Sequence, residues 1–504
     1  MAGNPDADRS VVTYEAYGAV GDGVADDLPA ICKAHAYANE HGLSVRSKQG
    51  AIYHLGHQAL TAIIATDTDW GTSRFIIDDS KGVENNSKSL FEVRSLLKPV
   101  PLKIERMKRG QNHLDLKLAG DTLVYVENKN RNLFIRSGLN QSDGSEQKEV
   151  FILRPNGSII GEIDWDYDVI TRIEARPIDT EALVLRGGIF TNIANRTKQE
   201  NVSSYWARNI LISRSKTVVD GVTHRVTGET DIGQPYSGFL SAKKCASIVF
   251  RNCTIDGRKF YRKIGNADKP VSMGTYGYRA DLVVDFRMTN CQMGNDIHDT
   301  SRWGVVATNF MKNILVENCT LSRVDVHMGV SGSYIIRHST LGHAGINAIG
   351  RGCMILEDTT VHSPALISFR EDYGSTWEGE IIIRNSRWMP PAGKATTLHM
   401  FSMRNDGTHD YGYPCFMPRF IQIEGLFVDD SKRPRGYQGL TFFNDPIGKT
   451  SKQRPFPYHL TERLEVNGLK TASGLPPRVC DNPAVTKAVT YVSKSASPSA
   501  RAKD

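Results

Sequence analysis

Histidine, aspartate and arginine side chains that could move protons are concentrated in the middle of the chain. They are His298, Asp299, Arg302, Asp325 and His327. Two carboxylates that face a glycosidic bond can hydrolyse it, one as acid and the other as base or nucleophile. Alternatively, a base can remove the proton next to a uronate carboxylate while arginine or histidine neutralises that carboxylate, which gives β-elimination or C5 epimerisation. We therefore predict that these five residues carry out catalysis.

Aromatic and charged side chains accompany this set and suit the binding of a sugar polymer. Aromatic rings can stack on sugar rings, and arginine pairs with carboxylates. The candidate substrate-binding residues are Tyr276, Tyr278, Arg279, Trp303, Asn347, Arg351, Arg370 and Asp372. The main hypothesis is a lyase that cleaves an acidic polysaccharide by β-elimination. The alternatives are a glycoside hydrolase that uses Asp299 with Asp325, and a protein that only binds the glycan.

The sequence predicts neither a metal ion nor another cofactor. Zinc proteases place two histidines on one helix in an HExxH pattern, and the chain has no such pair. Calcium prefers several clustered carboxylates, and here only Asp296, Asp299 and Asp325 approach such a group.

A repeat in the second half of the chain indicates how these side chains are positioned. Short apolar runs recur, each ending in a polar residue: ALVLRGG, NILISRS, SIVFRNCTI, LVVDFRMTNCQM, NILVENCTL, YIIRHSTL, MILEDTTV and IIIRNSRW. Their alignment superposes Asn252, Asn290, Asn318, His338, Asp358 and Asn385. Two successive intervals are 20 residues long, which is typical of one coil of a solenoid. We interpret these six positions, including His338 and Asp358, as turn residues.

Residues at the same offset from this repeat should lie on one face, with strands of successive coils about 4.8 Å apart. This offset predicts one column that contains Asp299, His327 and Asn347, with His298 beside them. Three cysteines that follow the repeated asparagine, Cys253, Cys291 and Cys319 among eight in the chain, are predicted to be small core residues rather than disulfide partners.

The N-terminal region carries a family resemblance. The stretch YGAVGDGVADDLPAICKAHAYANEHG, followed by GAIYHL, resembles the start of the pectate-lyase-like β-helix superfamily, which includes polysaccharide lyases, glycoside hydrolases and phage tailspike depolymerases. The resemblance implies an all-β chain, a right-handed parallel β-helix solenoid with an N-terminal helix that caps the first coil. For tailspikes it further implies a homotrimer.

A second, five-residue resemblance concerns chemistry. Asp296-Ile297-His298-Asp299-Thr300 is similar to the Asp-x-His-acid signature of β-helical mannuronan C-5 epimerases. Ile297 stands where that family has proline, and the usual Tyr-Gly lead-in is replaced by Met293-Gly294-Asn295.

Composition and patterning predict five segments. These are an N-terminal cap with the first coils (1–94), a β-rich insertion (95–180), the main coils (181–400), the last coils with a C-terminal cap (401–483) and a disordered tail (484–504).

The start MAGNPDADRS has no apolar signal sequence, and no run has transmembrane length. The net charge of +7 is mild and comes without a basic, aromatic stripe. We therefore expect a polysaccharide partner, no nucleic acid and no membrane, in an extracellular or virion-associated protein.

Overall fold

The computed structural model describes residues 11–136, 144–198, 205–264, 270–404, 409–446 and 458–494. The chain divides into two compact units. The first comprises Met1–Asn128 with Lys148–Lys312, and the second comprises Lys129–Gln147 with Asn313–Asp504. In the described part of the chain, neither α-helix has the length and hydropathy that a bilayer crossing requires.

The first unit begins with parallel coils covered by helix α1, Leu28–His41. Its first strands are β1 Val11–Thr13, β2 Asp22–Asp26, β3 Ser44–Arg46, β4 Ile52–Leu55, β5 Ala62–Ile64, β6 Thr68–Asp78 and β7 Phe91–Val93. Trp70 Nε1 donates a hydrogen bond of 2.8 Å to the Tyr14 hydroxyl, which lies 3.0 Å from Nε2 of His35 in the helix. These buried polar contacts and the apolar face of α1 close the end of the coil, which confirms the predicted capping helix.

An antiparallel sheet is inserted between the coils. Its strands are β8 Thr122–Leu133, β9 Ser145–Leu153, β10 Ile159–Ile160 and β11 Arg172–Pro177, in the order β10-β9-β8-β11. In the first unit, Tyr125 and Val150 of this sheet pack against Ala246 and Val284 of the coils. The β-rich insertion that the sequence predicts is therefore confirmed.

The first unit continues as a parallel β-helix. Its remaining strands are β12 Leu183–Ile193, β13 Ile210–Ile212, β14 Thr217–Asp220, β15 Thr223–Thr227, β16 Leu240–Arg251, β17 Thr254–Ile255, β18 Tyr261–Ile264, β19 Pro270–Met273, β20 Tyr278–Thr289 and β21 Gln292–Met293. Strand β12 pairs in parallel with β6, and β16 pairs in parallel with β20. Strands β18 and β19 form an antiparallel hairpin.

The second unit repeats the parallel arrangement. Strand β22 Val306–Glu317 leads into it, and its strands are β23 Thr320–Arg337, β24 Thr340–Ala348, β25 Gly350–Glu357, β26 Thr360–Val361, β27 Ile367–Phe369, β28 Trp377–Trp388, β29 Leu398–Ser402, β30 Phe420–Val428, β31 Leu440–Phe443, β32 Arg463–Thr471 and β33 Thr490–Lys494. Strand β25 pairs in parallel with β28, which pairs in parallel with β30. Phe369, Phe401 and Phe443 stack along the interior, with ring centroids 6.4 and 5.7 Å apart.

The six superposed residues of the sequence repeat all adopt the left-handed conformation. Their φ angles lie between 45° and 55° for Asn252, Asn290, Asn318, His338, Asp358 and Asn385. Such a turn exposes the backbone, and asparagine tolerates it better than most residues. Gly425 and Gly468, at φ 77° and 72°, continue the position through the next coils. The left-handed turn position therefore continues beyond Asn385, with glycine in place of asparagine.

The residue after each of these six polar turn residues points inward and is small. Cys253, Cys291 and Cys319 are at most 1% exposed, and all eight cysteines are free thiols. Cys319 Sγ contacts the carbonyl two residues earlier at 3.2 Å, and Ser339 Oγ donates to the equivalent carbonyl at 2.8 Å. The cysteines are therefore small core residues, as predicted.

The C-terminal region differs from the prediction of a disordered tail from residue 484. Helix α2, Pro483–Ala488, begins after Asn482, whose side chain accepts the N–H of Ala484 at 2.9 Å. Strand β33 then pairs in parallel with β32. Residues 495–504 lie outside the described residues.

Candidate functional site

The outer face of strand β23 carries three polar side chains at alternate positions. Val324 and Val326 are buried inside the coil, so Arg323, Asp325 and His327 point outward, as the two-residue period of a strand requires. Asp325 is nevertheless 0% exposed. Neighbouring side chains therefore cover this carboxylate completely.

Arginines surround two aspartates in the second unit. Arg323 Nη2 lies 3.1 Å from Oδ2 of Asp325, and Arg370 Nη1 lies 3.3 Å from both oxygens of the same carboxylate. Arg370 also donates to Asp372 through Nε and Nη2, at 2.9 and 2.8 Å. Arg136 Nε lies 2.9 Å from the same Asp372 carboxylate. These charge-assisted hydrogen bonds fix both aspartates and the two arginines that approach Asp372.

Tyr373 meets His327 beside these ion pairs. It ends the 3-10 turn Glu371–Tyr373, which follows strand β27. Its hydroxyl lies 3.5 Å from Nε2 of His327, and the two rings are nearly perpendicular with centroids 5.6 Å apart. The guanidinium of Arg370 lies 5.3 Å from the centre of the Tyr373 ring, and that of Arg136 lies 5.9 Å from it.

The surroundings set the protonation of these groups. Burial and the positive charge of Arg370 lower the pKa of His327 to about 4, so the imidazole is neutral at pH 7. Burial raises the pKa of Tyr373, which keeps its phenol protonated. Burial also acts on Asp372, but the hydrogen bonds and charge of Arg370 outweigh it and lower the pKa of that carboxyl.

This combination has a definite chemical capacity. A neutral imidazole can accept a proton, a phenol can donate one, and a guanidinium can hold an anion. The Arg136 side chain is 43% exposed, whereas the Arg370 side chain is 11% exposed. Arg136 is therefore the more accessible of the two cations to a ligand carboxylate.

The register between β23 and β24 differs from the uniform 20-residue offset that the sequence predicts. The offset is 20 at the start of the two strands, but beyond a bulge Asp325 pairs with Asn347, an offset of 22. His327 and Asn347 are therefore not paired in one column, which corrects the prediction. The Asn347 amide oxygen instead accepts hydrogen bonds from Nε and Nη2 of Arg323, at 2.6 and 2.7 Å.

Arg351 is the remaining substrate-binding residue predicted in the second unit. It lies on strand β25, and its Nη2 is 4.0 Å from Oε2 of Glu378 on the adjacent strand β28. Its guanidinium therefore already has a carboxylate neighbour.

Three predicted catalytic residues lie together in a loop of the first unit. Asp299 accepts hydrogen bonds from the N–H and hydroxyl of Ser301, at 2.9 and 2.7 Å, and these lower its pKa. Arg302 lies 3.2 Å from Asp299 and 3.5 Å from Glu229. His298 is exposed on the same loop. The Asp299 carboxylate is thus engaged in holding its own loop.

The predicted substrate-binding residues of the first unit differ in their exposure and in their contacts. Tyr276 and Trp303 are partly exposed and contact each other edge to face, with centroids 5.9 Å apart. Arg279 lies 2.8 Å from the carboxylate of Asp281. Tyr278 is 0% exposed, and its hydroxyl donates to a backbone carbonyl at 3.1 Å. Tyr278 is therefore a core residue and not a surface contact for a polymer, because it faces the interior of strand β20.

Three residues of the site were not identified from the sequence. Arg323 lies two residues before Asp325, so the period of the strand could have revealed it. Tyr373 directly follows Asp372 and carries no pattern of its own. Arg136 follows strand β8 of the inserted sheet, and no local sequence signal places it beside Asp372.

In the part of the chain that the structure describes, no group of three or more histidine, cysteine, aspartate or glutamate side chains is arranged to hold a metal ion.

Comparison with known sequences gives a short match. No family model matches the chain. An alignment of 94 positions, which covers 16% of the chain, is 34% identical to a depolymerase of a Klebsiella phage that is specific for capsule KL64. The match spans only 9% of that protein's length.

Comparison with solved structures defines the fold class. The tailspike gp61 of Pseudomonas phage phi297 superposes with a TM-score of 0.57 at 13% identity, over 96% of this chain and 84% of that one. The tailspike gp49 of Pseudomonas phage LKA1 gives 0.53 at 15% identity, over 95% and 84%. The tailspike of Acinetobacter baumannii phage AP22, solved with a capsular saccharide of that bacterium, gives 0.51 at 10% identity, over 95% and 79%. The chain therefore has the parallel β-helix fold of these phage tailspikes.

Proposed function

We propose that this protein degrades an acidic polysaccharide by β-elimination, with the reaction in the second unit. The observation that carries the proposal is the neutral His327 imidazole 3.5 Å from the Tyr373 hydroxyl, beside two arginines. This set supplies a base, an acid and a cation, which are the three groups that elimination from a uronate needs.

A uronate residue binds with its carboxylate at the guanidinium of Arg136, which stabilises the negative charge that develops there. Nε2 of His327 takes the proton from C5, and that C–H electron pair becomes the second bond between C4 and C5. The C4–O bond breaks, and the leaving oxygen takes the proton of the Tyr373 hydroxyl. The products are a new chain end and an unsaturated uronate.

Asp325 and Asp372 have a positioning role in this proposal. Both carboxylates are engaged by arginines, and the pKa of Asp372 is lowered. Glycoside hydrolysis requires one carboxyl group that stays protonated and donates to the leaving oxygen. The ion pair of Asp372 opposes that state, which favours elimination over hydrolysis by this pair.

The comparisons support a polymer from the bacterial surface as substrate. One relative is a capsule depolymerase, and one tailspike of the same fold was solved with a capsular saccharide. We propose a capsular polysaccharide as the substrate class, association with a virion, and a homotrimer as the functional state. Light scattering on the purified chain tests the last point, and a monomer would contradict it.

The experiment for the activity uses a panel of purified capsular polysaccharides from Klebsiella, including KL64, and from Acinetobacter. Cleavage is followed in parallel by the ultraviolet absorbance of the unsaturated uronate and by new reducing ends. We expect both signals to rise together and to be lost in His327→Ala, while His338→Asn, which keeps a left-handed turn residue, retains both. Reducing ends without the absorbance would establish hydrolysis instead. Binding without either signal would identify a glycan-binding protein without catalytic activity.

A further inference from the structure

A groove of about 960 Å³ opens on the outer face of the first coils, within the first unit. Outward side chains of neighbouring strands form its floor, and they lie in register: His54 pairs with Ile76, and Asp78 pairs with Ile193. Val24, which is 80% exposed, stands at its edge. The floor thus combines apolar and titratable groups on strands about 4.8 Å apart.

Hydrogen bonds fix the loops that form the walls of the groove. Asp26 Oδ1 accepts the N–H of Gly56 at 2.9 Å, and a side chain at Gly56 would collide with the same carboxylate at 2.3 Å. The N–H of Glu84 donates to the carbonyl of His57 at 3.0 Å, and the Glu84 carboxylate accepts the N–H of Ala59 at 2.9 Å. The groove is therefore preformed, and a ligand would not have to order it.

Several polar groups of the groove still have hydrogen-bonding capacity. Asp78 Oδ1 accepts two hydrogen bonds from Ser80, at 3.0 and 2.6 Å, whereas its Oδ2 accepts none from the described residues. Nδ1 of His54 is enclosed and has no hydrogen-bond partner within the described ranges. Lys81 is exposed and, as far as the described residues extend, forms no ion pair. Hydrogen-bond donors and acceptors thus lie beside the apolar side chains of the floor.

We propose that this groove is a carbohydrate-binding site that holds a short oligosaccharide segment without cleaving it. Sugar hydroxyls both donate and accept, so they can donate to Asp78 and accept from Lys81. The apolar C–H face of a sugar ring can pack on Ile76 and Ile193. The volume lies in the range of small-ligand sites, which are typically about 300–1,000 Å³.

The class of ligand in this inference rests on the proposed function, but the groove contains none of the residues assigned to elimination. A second copy of the chain is the competing occupant. The concave shape and the charged lining favour a small polar ligand, because stable protein interfaces have an apolar centre depleted in charged residues.

The test uses the full chain with His327→Ala, so that the probe is not consumed. Fragments released by mild acid from the capsular polysaccharides of the panel are titrated by calorimetry. We expect Lys81→Ala and Asp78→Asn each to weaken binding at the groove by about tenfold, and Ile76→Trp, which fills the floor, to remove one binding site per chain while the site near Tyr373 still binds. Lys108→Ala, an exposed lysine of the same unit, should bind like the parent chain.

The outcomes separate the two proposals. If no polysaccharide is cleaved but the groove variants lose binding, the result supports the groove proposal and contradicts the proposed activity. If cleavage occurs and Lys81→Ala and Asp78→Asn bind as tightly as Lys108→Ala, the groove proposal is overturned. It is also overturned if no fragment binds, or if Ile76→Trp changes the oligomeric state and leaves fragment affinity intact.

Discussion

The hydroxyl of Tyr373 lies 3.5 Å from Nε2 of His327, although 46 residues separate them in the chain. His327 comes from the middle of the long strand β23, and Tyr373 comes from a 3-10 turn that follows β27. The imidazole is neutral because burial and Arg370 lower its pKa. A proton acceptor and a proton donor thus lie 3.5 Å apart, as the proposed elimination requires.

Removal of the phenol tests the assigned acid. We expect Tyr373→Phe to lower kcat by about 10²- to 10⁴-fold, since general acid catalysis typically contributes that much, and to leave KM nearly unchanged. Initial rates of ultraviolet absorbance on the cleaved polysaccharide measure this. Tyr491→Phe, an exposed tyrosine on β33, is the matched control. A Tyr373→Phe variant with the parental kcat would remove Tyr373 from the mechanism.

The loss of activity at acidic pH should reflect the protonation of His327. The imidazole works as a base only when neutral, so activity should be constant from pH 7 to well below 6 and then fall as the pH drops through about 4. An unperturbed histidine would instead give a limb near its ordinary pKa of about 6.5. His338→Asn should share the profile of the parent chain. A limb near the ordinary histidine value in both proteins would contradict the assignment.

Arg136 should contribute through its positive charge, which binds the carboxylate of the substrate. We expect Arg136→Gln to lower kcat/KM by about 10- to 100-fold on the acidic polymer, and to have little effect on binding of the same polymer after its carboxyl groups are reduced to alcohols. Its ion pair with Asp372 is half exposed, so the cost in stability should stay within about 1 kcal/mol. Arg463→Gln, another half-exposed and paired arginine of the second unit, is the control. Equal losses in both variants would indicate a general charge effect.

The left-handed turn position should determine local stability. Asn318 has φ 52° and Gly425 has φ 77°, and an alanine there costs about 1–2 kcal/mol. We expect Asn318→Ala and Gly425→Ala to lower the Tm, while Asn318→Gly is close to neutral. Circular dichroism during heating measures the shifts. Gly393→Ala, at a position without the left-handed requirement, should leave the Tm unchanged, and a comparable loss there would undermine the explanation.

Much of the scaffold was predictable because its signals are local. The Asn318 to His338 interval is one coil, and the turn that recurs there needs a residue that tolerates positive φ. The inward position after the turn needs a small side chain, which explains Cys319 and its equivalents. These requirements recur from Asn252 to Asn385, so they are visible in the chain as a pattern.

The candidate site was only partly predictable because coils are not equally long. A bulge moves Asn347 opposite Asp325, so counting from the turn gave the wrong neighbour for His327. Tyr278 looked like a binding residue, but the alternation of strand β20 turns it inward. The turn position also continues as Gly425 and Gly468, where an asparagine pattern could not reveal it.

The sequence by itself determined a coiled β-fold with an inserted sheet, since turn chemistry and apolar alternation act over short distances, and its N-terminal family resemblance implied the parallel β-helix and the capping helix. Only the tertiary structure decided which side chains meet. It placed Arg136, which follows strand β8, against Asp372, and it brought Tyr373 to His327. It also enclosed Asp325 among arginines, and burial there lowers the pKa of His327 and raises that of Tyr373. Contacts between distant segments and the loss of water around them are properties of the packed chain, and no local pattern encodes them.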